Sequence, residues 1–192
     1  MGQNVFILEG HPHPNSFSNA LALATKTGAV AAGHEVRHLA LSDLVFDMNL
    51  IDHDPNNHPF EPDLEVVWDA FLWANHVIVI HPLWWGGAPA KLKGLFDRVL
   101  RPRHAFEYEK GKPLPKGLLK GRSAEVMITS DTPTWFFHLV YRYAWPSIMR
   151  RQILGFCGLK VGRIRNFGPM RGSSEAKRLD FLKRAEATGR GI

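Results

Sequence analysis

Gly10-His11-Pro12-His13-Pro14-Asn15-Ser16-Phe17-Ser18-Asn19-Ala20-Leu21 joins an apolar run to a helix-forming one. Ahead of it, Val5-Phe6-Ile7-Leu8 is short and rich in β-branched and aromatic residues, the composition of a buried strand. Behind it, Ala20-Leu21-Ala22-Leu23-Ala24 supplies the first turns of a helix. Ser and Asn are good helix N-caps, so the whole unit reads as strand, loop and capped helix. A helix N-terminus offers unpaired N–H groups and a partial positive charge, so such a unit forms an anion cradle. Gly-x-Gly-x-x-Gly is absent and so is a P-loop lysine, which excludes the two commonest nucleotide fingerprints.

The strand–helix alternation continues outward. A strand over 5–10 and a helix near 16–32 lead through Gly33 to a second strand over 36–41. Residues 43–62 are polar and loop-like, and 63–75 has helical spacing. His76-Val77-Ile78-Val79-Ile80 forms the most apolar strand, and Pro89 opens a helix over 89–100. Residues 101–122, rich in Lys, Pro and Gly, read as a long loop. Ala124–Thr129 makes a fourth strand, 134–155 one long helical region, Val161–Ile164 a fifth strand and 173–187 a closing helix. Five strands separated by helices predict an α/β fold, a doubly wound five-stranded parallel sheet forming a single domain over 1–192. Ligands bind such sheets beyond the carboxyl ends of the strands, at the switch point beside the first strand.

Composition narrows the class. At 192 residues with 45% hydrophobic content the chain can bury a substantial core. No stretch reaches the ~18–20 continuous apolar residues of a spanning helix, so stable membrane insertion is not expected. The start of the chain lacks the basic region of a secretory signal, and the one cysteine, Cys157, fits a reducing compartment; both readings predict a cytoplasmic protein. Residues 1–96 hold 4 basic and 10 acidic residues, whereas 97–192 hold 20 basic and 8 acidic. The basic residues are scattered, without zinc-finger spacing or an aromatic repeat, which disfavours nucleic-acid binding. The ten histidines form no recognisable metal-ligand set.

Two further loops follow strands. In His81-Pro82-Leu83-Trp84-Trp85-Gly86-Gly87-Ala88-Pro89, adjacent tryptophans at a strand end suit the wall of a flat, partly polar ligand. The glycines let backbone N–H groups approach it. If this segment is extended, one indole faces the ligand and the other packs inward. Thr129-Ser130-Asp131-Thr132 follows the fourth strand, and its hydroxyls and carboxylate can hold a ring edge or cap the next helix. Hydroxyls in the first loop, aromatics and glycines in the second and polar groups in the third together suit a flavin.

The combination becomes specific in three segments: His11 to Leu21, the run Pro82-Leu83-Trp84-Trp85-Gly86 continuing through Pro89-Ala90-x-Leu92-Lys93-Gly94 to Phe96-Asp97-Arg98-Val99, and Ile153-Leu154-Gly155-Phe156-Cys157-Gly158. The chain there resembles the NAD(P)H:quinone oxidoreductases, the flavodoxin-like family of DT-diaphorase, general stress protein 14 and modulator of drug activity B. The resemblance implies an NAD(P)H dehydrogenase (quinone): a cytoplasmic homodimeric flavoprotein moving two electrons from NAD(P)H to quinones, or to azo or nitro compounds, in a ping-pong cycle. It implies that His11, Asn15, Ser16, Phe17 and Ser18 hold the flavin phosphate and ribityl chain. Pro82, Leu83, Trp84, Trp85 and Gly86 then line the ring, with Thr129 and Ser130 beside it. Asp131 and Thr132 complete that loop where DT-diaphorase has two glycines. Arg178, within Gly168–Arg178, falls where FAD-binding members place an arginine, so the resemblance favours FAD, with FMN the alternative. His138 and Tyr141 are the candidates for a proton donor, and no catalytic acid is assigned. A regulatory or ancillary flavodoxin-like module with little turnover, as in ion-efflux systems, is the alternative function. The loop 43–62 and helix 134–155 are the expected contributors to a pocket wall completed across a dimer.

Overall fold

Apolar runs with a polar residue at each end account for the central strands. The computed structural model describes residues 2–54 and 56–192; Met1, and Pro55 within the expected loop 43–62, lie outside the described residues. The strands β1 (Asn4–Glu9), β2 (Glu35–Ala40), β3 (His76–Pro82), β6 (Ser123–Thr129) and β7 (Lys160–Phe167) form one parallel sheet in the order β2-β1-β3-β6-β7. β3 is buried along its full length, as a central parallel strand covered on both faces must be. The strand order reverses between β1 and β3, which is the expected switch point.

Helices cover both faces. α1 (Phe17–Ala31) and α6 (Glu175–Arg190) pack over Val5, Ile7, Ile78, Ile80 and Phe167. α2 (Pro62–Trp73), α3 (Ala90–Val99), α4 (Thr134–Leu139) and α5 (Ala144–Ile148) lie on the other face, over Phe6, Leu8, Val77, Val79 and Val126. Buried Arg98 of α3 ties the 43–61 loop to the body. Its guanidinium donates to both Glu61 carboxylate oxygens at 3.0 and 2.5 Å and to the Pro59 carbonyl at 3.2 Å. Paired on several sides, this cation can stay charged away from water.

Three segments differ from the sequence expectation. Residues 101–122 are not all loop: β4 (Phe106–Glu107) and β5 (Lys116–Gly117) pair antiparallel. Gly117 there lies so close to the next layer that a Cβ would stand 2.4 Å from the Gly158 nitrogen. The helix expected over 134–155 is broken, because Arg142 and Tyr143 take left-handed φ values of 49° and 54°. A π-turn over Met149–Ile153 then follows α5. The fifth strand runs over eight residues, 160–167, not four. It carries exposed Arg163 and half-buried Arg165, the latter paired with Glu125 of β6, and polar residues on an edge strand hide the apolar pattern. Cys157 is buried and its thiol is pushed up to about 12, an inert core residue.

Candidate functional site

The three loops meet at the carboxyl ends of β1, β3 and β6. In the first, Gly10 leaves β1 with its N–H donating to the Ile80 carbonyl at 2.6 Å. A Cβ at Gly10 would stand 2.5 Å from Leu92, so only glycine passes beneath α3 here. The His11 amide donates to Glu9 Oε1 at 2.9 Å, and the His13 amide donates to His11 Nδ1 at 3.0 Å. Nδ1 of His11 also lies 3.2 Å from the His13 carbonyl, and burial holds the His11 pKa below the ordinary histidine value. Asn15 adopts φ 60°, and Ser16 Oγ caps α1 by accepting from the Asn19 amide at 3.1 Å.

The second loop is a tight turn. Trp84 and Gly87 exchange both backbone hydrogen bonds at 2.9 Å, and Trp85 and Gly86 have φ values of 49° and 78°. This is a two-residue turn with both central residues left-handed. The Trp85 and Gly86 amides stay outside the exchanged pair, and the direction a Gly86 side chain would take is open space. Trp85 is wholly exposed, and Trp84 is 45% exposed with its ring edge-on to His11 at 5.4 Å. The expectation of one inward-packed indole fails because the segment turns at Trp84 and does not continue as a strand.

Ser18, buried in α1, places Oγ 3.4 Å from Thr129 Oγ1 and so links the first loop to the third. The Leu83 amide donates to the Thr129 carbonyl at 2.8 Å, which links the second to the third. Ser130 Oγ donates to Asn166 Oδ1 at 2.9 Å, and Asp131 accepts from the Arg171 amide at 2.6 Å. These two groups therefore brace the loop after β7. Leu83, Trp85, Gly86, Thr132, Phe137 and Tyr141 line a cleft of about 470 Å³ beside the turn. His81 lies beneath it, fully buried, its Nδ1–H donating to the Pro82 carbonyl at 2.7 Å and its Nε2 accepting from the Trp145 indole at 3.2 Å. Burial pushes its pKa down to about 4, so it is a neutral support. Trp145 also walls a second, mostly apolar cleft of about 630 Å³ between α3 and the π-turn, with Leu100, Phe106, Ile153 and Phe156.

Some expected residues point elsewhere. The Phe17 ring packs with Phe181 in the α1–α6 core at 6.4 Å, which leaves only its backbone for a ligand. Arg178 Nε donates to Ser173 Oγ at 2.9 Å at the start of α6. His138 stacks on Tyr143 at 4.7 Å, outside the cleft lining, whereas Tyr141 lines the cleft. Glu9, His81 and Trp145 were not anticipated. Glu9 had a legible signal, an acid closing the apolar run Val5-Phe6-Ile7-Leu8. Among the described residues, no group of three His, Cys, Asp or Glu is placed to hold a metal.

This sheet order, with three loops gathered at the switch point, defines a flavodoxin-like α/β protein. Residues 3–188 match the family described as having a flavodoxin-like fold, and the chain belongs to it. An uncharacterized NAD(P)H oxidoreductase of Haemophilus influenzae is 32% identical over 131 residues, 66% of this chain and 63% of that protein. An FMN-dependent NADH:quinone oxidoreductase of Cereibacter sphaeroides is 35% identical over 86 residues, 45% of this chain and 41% of that protein. The chain thus spans less than two thirds of the length of either relative. The solved NAD(P)H:quinone oxidoreductase of Methanothermobacter marburgensis has 26% identity and a TM-score of 0.81, with 100% of this chain and 97% of that one covered.

Proposed function

We propose that this chain is a flavin-dependent NAD(P)H oxidoreductase that passes two electrons to quinones or similar flat acceptors. The observation that carries the reading is the convergence of a capped helix start, a tryptophan–glycine turn and a hydroxyl-rich loop at one edge of the sheet, the last two bordering a 470 Å³ cleft. These residues fit a flavin. The α1 start is free of acids and offers amides to a phosphate, with Asn15, Ser16 and Ser18 beside it. The Trp85 and Gly86 amides and the Thr129–Thr132 loop suit the polar edge of the ring, with Pro82 and Leu83 at the base. Flavin, when bound, supplies the hydride chemistry between NAD(P)H and acceptor. The protein's share is to orient both against one ring face, stack flat acceptors on Trp85, and exclude water with Phe137 and Leu83.

We infer FMN as the flavin rather than FAD. A relative named as FMN-dependent supports this, as does the local engagement of Arg178 with Ser173 and of Asp131 with the Arg171 amide. A homodimer completed across the 630 Å³ apolar cleft and a cytoplasmic location belong to the same proposal. The cleft's mostly apolar lining, with exposed Tyr108 at its side, and the opposed charges of the two chain halves support the first, and the lone buried cysteine supports the second. The test is the visible spectrum of the purified protein, mass analysis of released flavin, and NADPH oxidation with and without a quinone. A yellow protein that releases FMN and turns over quinone is expected. A protein that stays colourless and fails to quench added FMN or FAD fluorescence removes the enzyme reading, and flavin binding without turnover favours the ancillary module.

A further inference from the structure

Between Asp131 and Glu175 the chain has no acidic residue in 43 positions, yet it has seven lysines and arginines. The fold gathers this segment onto one side. Tyr143 stacks on His138 of α4 and donates its hydroxyl to the Ile164 carbonyl of β7 at 2.9 Å, while Arg150 donates to the Gly162 carbonyl at 2.6 Å. α4, α5 and edge strand β7 therefore form one continuous surface. Arg142 and Arg151 are exposed on it and Arg163 is exposed at its β7 edge, and among the described residues none of the three pairs with an acid. Beside them, Trp135, Leu139 and Val140 are 63%, 74% and 52% exposed.

We propose that this surface docks on an anionic lipid membrane. Exposed Trp and aliphatic residues flanked by arginines match a bilayer interface, where the rings enter the headgroup layer and cations meet anionic lipid. Centred on a two-fold axis, this face would meet its own copy, basic against basic, with no acid between Asp131 and Glu175 to relieve it; the second copy is proposed at the 630 Å³ cleft instead. No described helix is long and apolar enough to cross a membrane, which suits docking rather than spanning. Phe137 and Tyr141, from the same segment, line the 470 Å³ cleft, so docking brings its mouth to the bilayer, where apolar quinones dissolve. That last step rests on the proposed quinone activity; the docking itself does not.

The test is flotation of flavin-loaded protein with vesicles of phosphatidylcholine alone or with phosphatidylglycerol added. Binding to the anionic vesicles only is expected, strong near 0.1 M salt and largely lost near 1 M, where the screening length falls from about 10 Å to about 3 Å. Combined Arg142→Gln, Arg151→Gln and Arg163→Gln should lower partitioning on the order of 100-fold with an unchanged melting temperature. Leu139→Ser with Val140→Ser should weaken binding without altering its salt dependence. Absence of binding to anionic vesicles, equal binding to neutral ones, or full binding by the arginine variant overturns the proposal. So does light scattering in which only the arginine variant changes oligomeric state, which assigns the face to a second copy. Vesicle binding without reduction of either a water-soluble or a membrane-dissolved quinone leaves the docking standing and removes the enzyme reading.

Discussion

Glu9 and His81 end neighbouring strands at the proposed ligand edge, yet they sit on opposite faces of the sheet. Glu9 alternates with Val5 and Ile7 on the α1–α6 face; His81 alternates with Val77 and Val79 on the face of Trp145. Burial suppresses the charge of both: the Glu9 carboxyl is raised to about 7, with Asp43 adding to the shift, and His81 is lowered to about 4. Their hydrogen bonding differs. Both His81 nitrogens are satisfied, whereas Glu9 Oε2 is buried with no partner among the described residues. The β3 side is therefore a finished framework, and the β1 side keeps an unmet polar group beneath the loop proposed for phosphate.

The largest effect is expected at the finished side. Trp145→Ala removes a nearly buried indole and the donor to His81, and should cost about 3–5 kcal/mol of stability in chemical denaturation. A loss below about 1 kcal/mol would mean that the two faces are not differently built. The pH dependence then separates the two groups. As pH rises from about 4.5 to 7, an unfolded chain loses the Glu9 proton before the folded one does, so stability falls. From about 4 to 6.5 the folded His81 stays neutral while the unfolded one is protonated, so stability rises with pH. The full His81 contribution is about 3 kcal/mol; that of Glu9, discounted for the solvent near its exposed loop, is about 2 kcal/mol. The native protein should therefore show weak dependence in the shared window. Glu9→Gln should expose the His81 slope, with stability rising as pH rises to 6.5. A Glu9→Gln profile that superposes on the native one would show that Glu9 is not held protonated.

The sheet and the capped helix start after β1 were legible because they depend on local chemistry. Val5–Leu8 and His76–Ile80 are continuous apolar runs and Ser16 is a cap, whereas the reading of Trp84–Trp85 as extended missed the left-handed turn at Trp85–Gly86. Elements that depend on partners distant in the chain were not legible. The break at Arg142–Tyr143 depends on the Tyr143 hydroxyl reaching β7, and the β4–β5 hairpin on Gly117 packing against Gly158. Likewise, the sequence shows His81 and Trp145 as isolated residues 64 positions apart, and only the fold makes them a pair. Phe17 lies within the loop motif, but its ring serves the α1–α6 core because a helix start must also pack.

Ser16→Ala tests whether the capped loop does more than cap. Its oxygen already accepts from the Asn19 amide, but its proton remains free to donate, so capping and phosphate binding do not compete. Loss of the cap should lower stability by about 1 kcal/mol. Loss of a hydrogen bond to a charged phosphate should weaken flavin affinity by about 1.5–3 kcal/mol, roughly 10- to 150-fold, read by fluorescence titration. A stability loss with unchanged flavin affinity would confine Ser16 to the helix.

The smallest effects fall on the two indoles, and they should differ in kind. Trp85 is wholly exposed and borders the cleft, so Trp85→Ala should change stability by less than about 0.5 kcal/mol. Removing a stacking surface of about 0.5–1.5 kcal/mol should raise KM for a flat quinone roughly 2- to 13-fold, with flavin affinity unchanged. Trp84 instead joins the second loop to the first through its edge-on contact with His11. Trp84→Ala should therefore loosen both loops, so that flavin dissociates faster while KM for the acceptor moves little. Stopped-flow release of flavin and steady-state quinone kinetics on the two variants separate these outcomes. Identical behaviour of the two variants would mean that the turn presents both rings to one ligand, and the contrast between a cleft wall and a loop tie would then be lost.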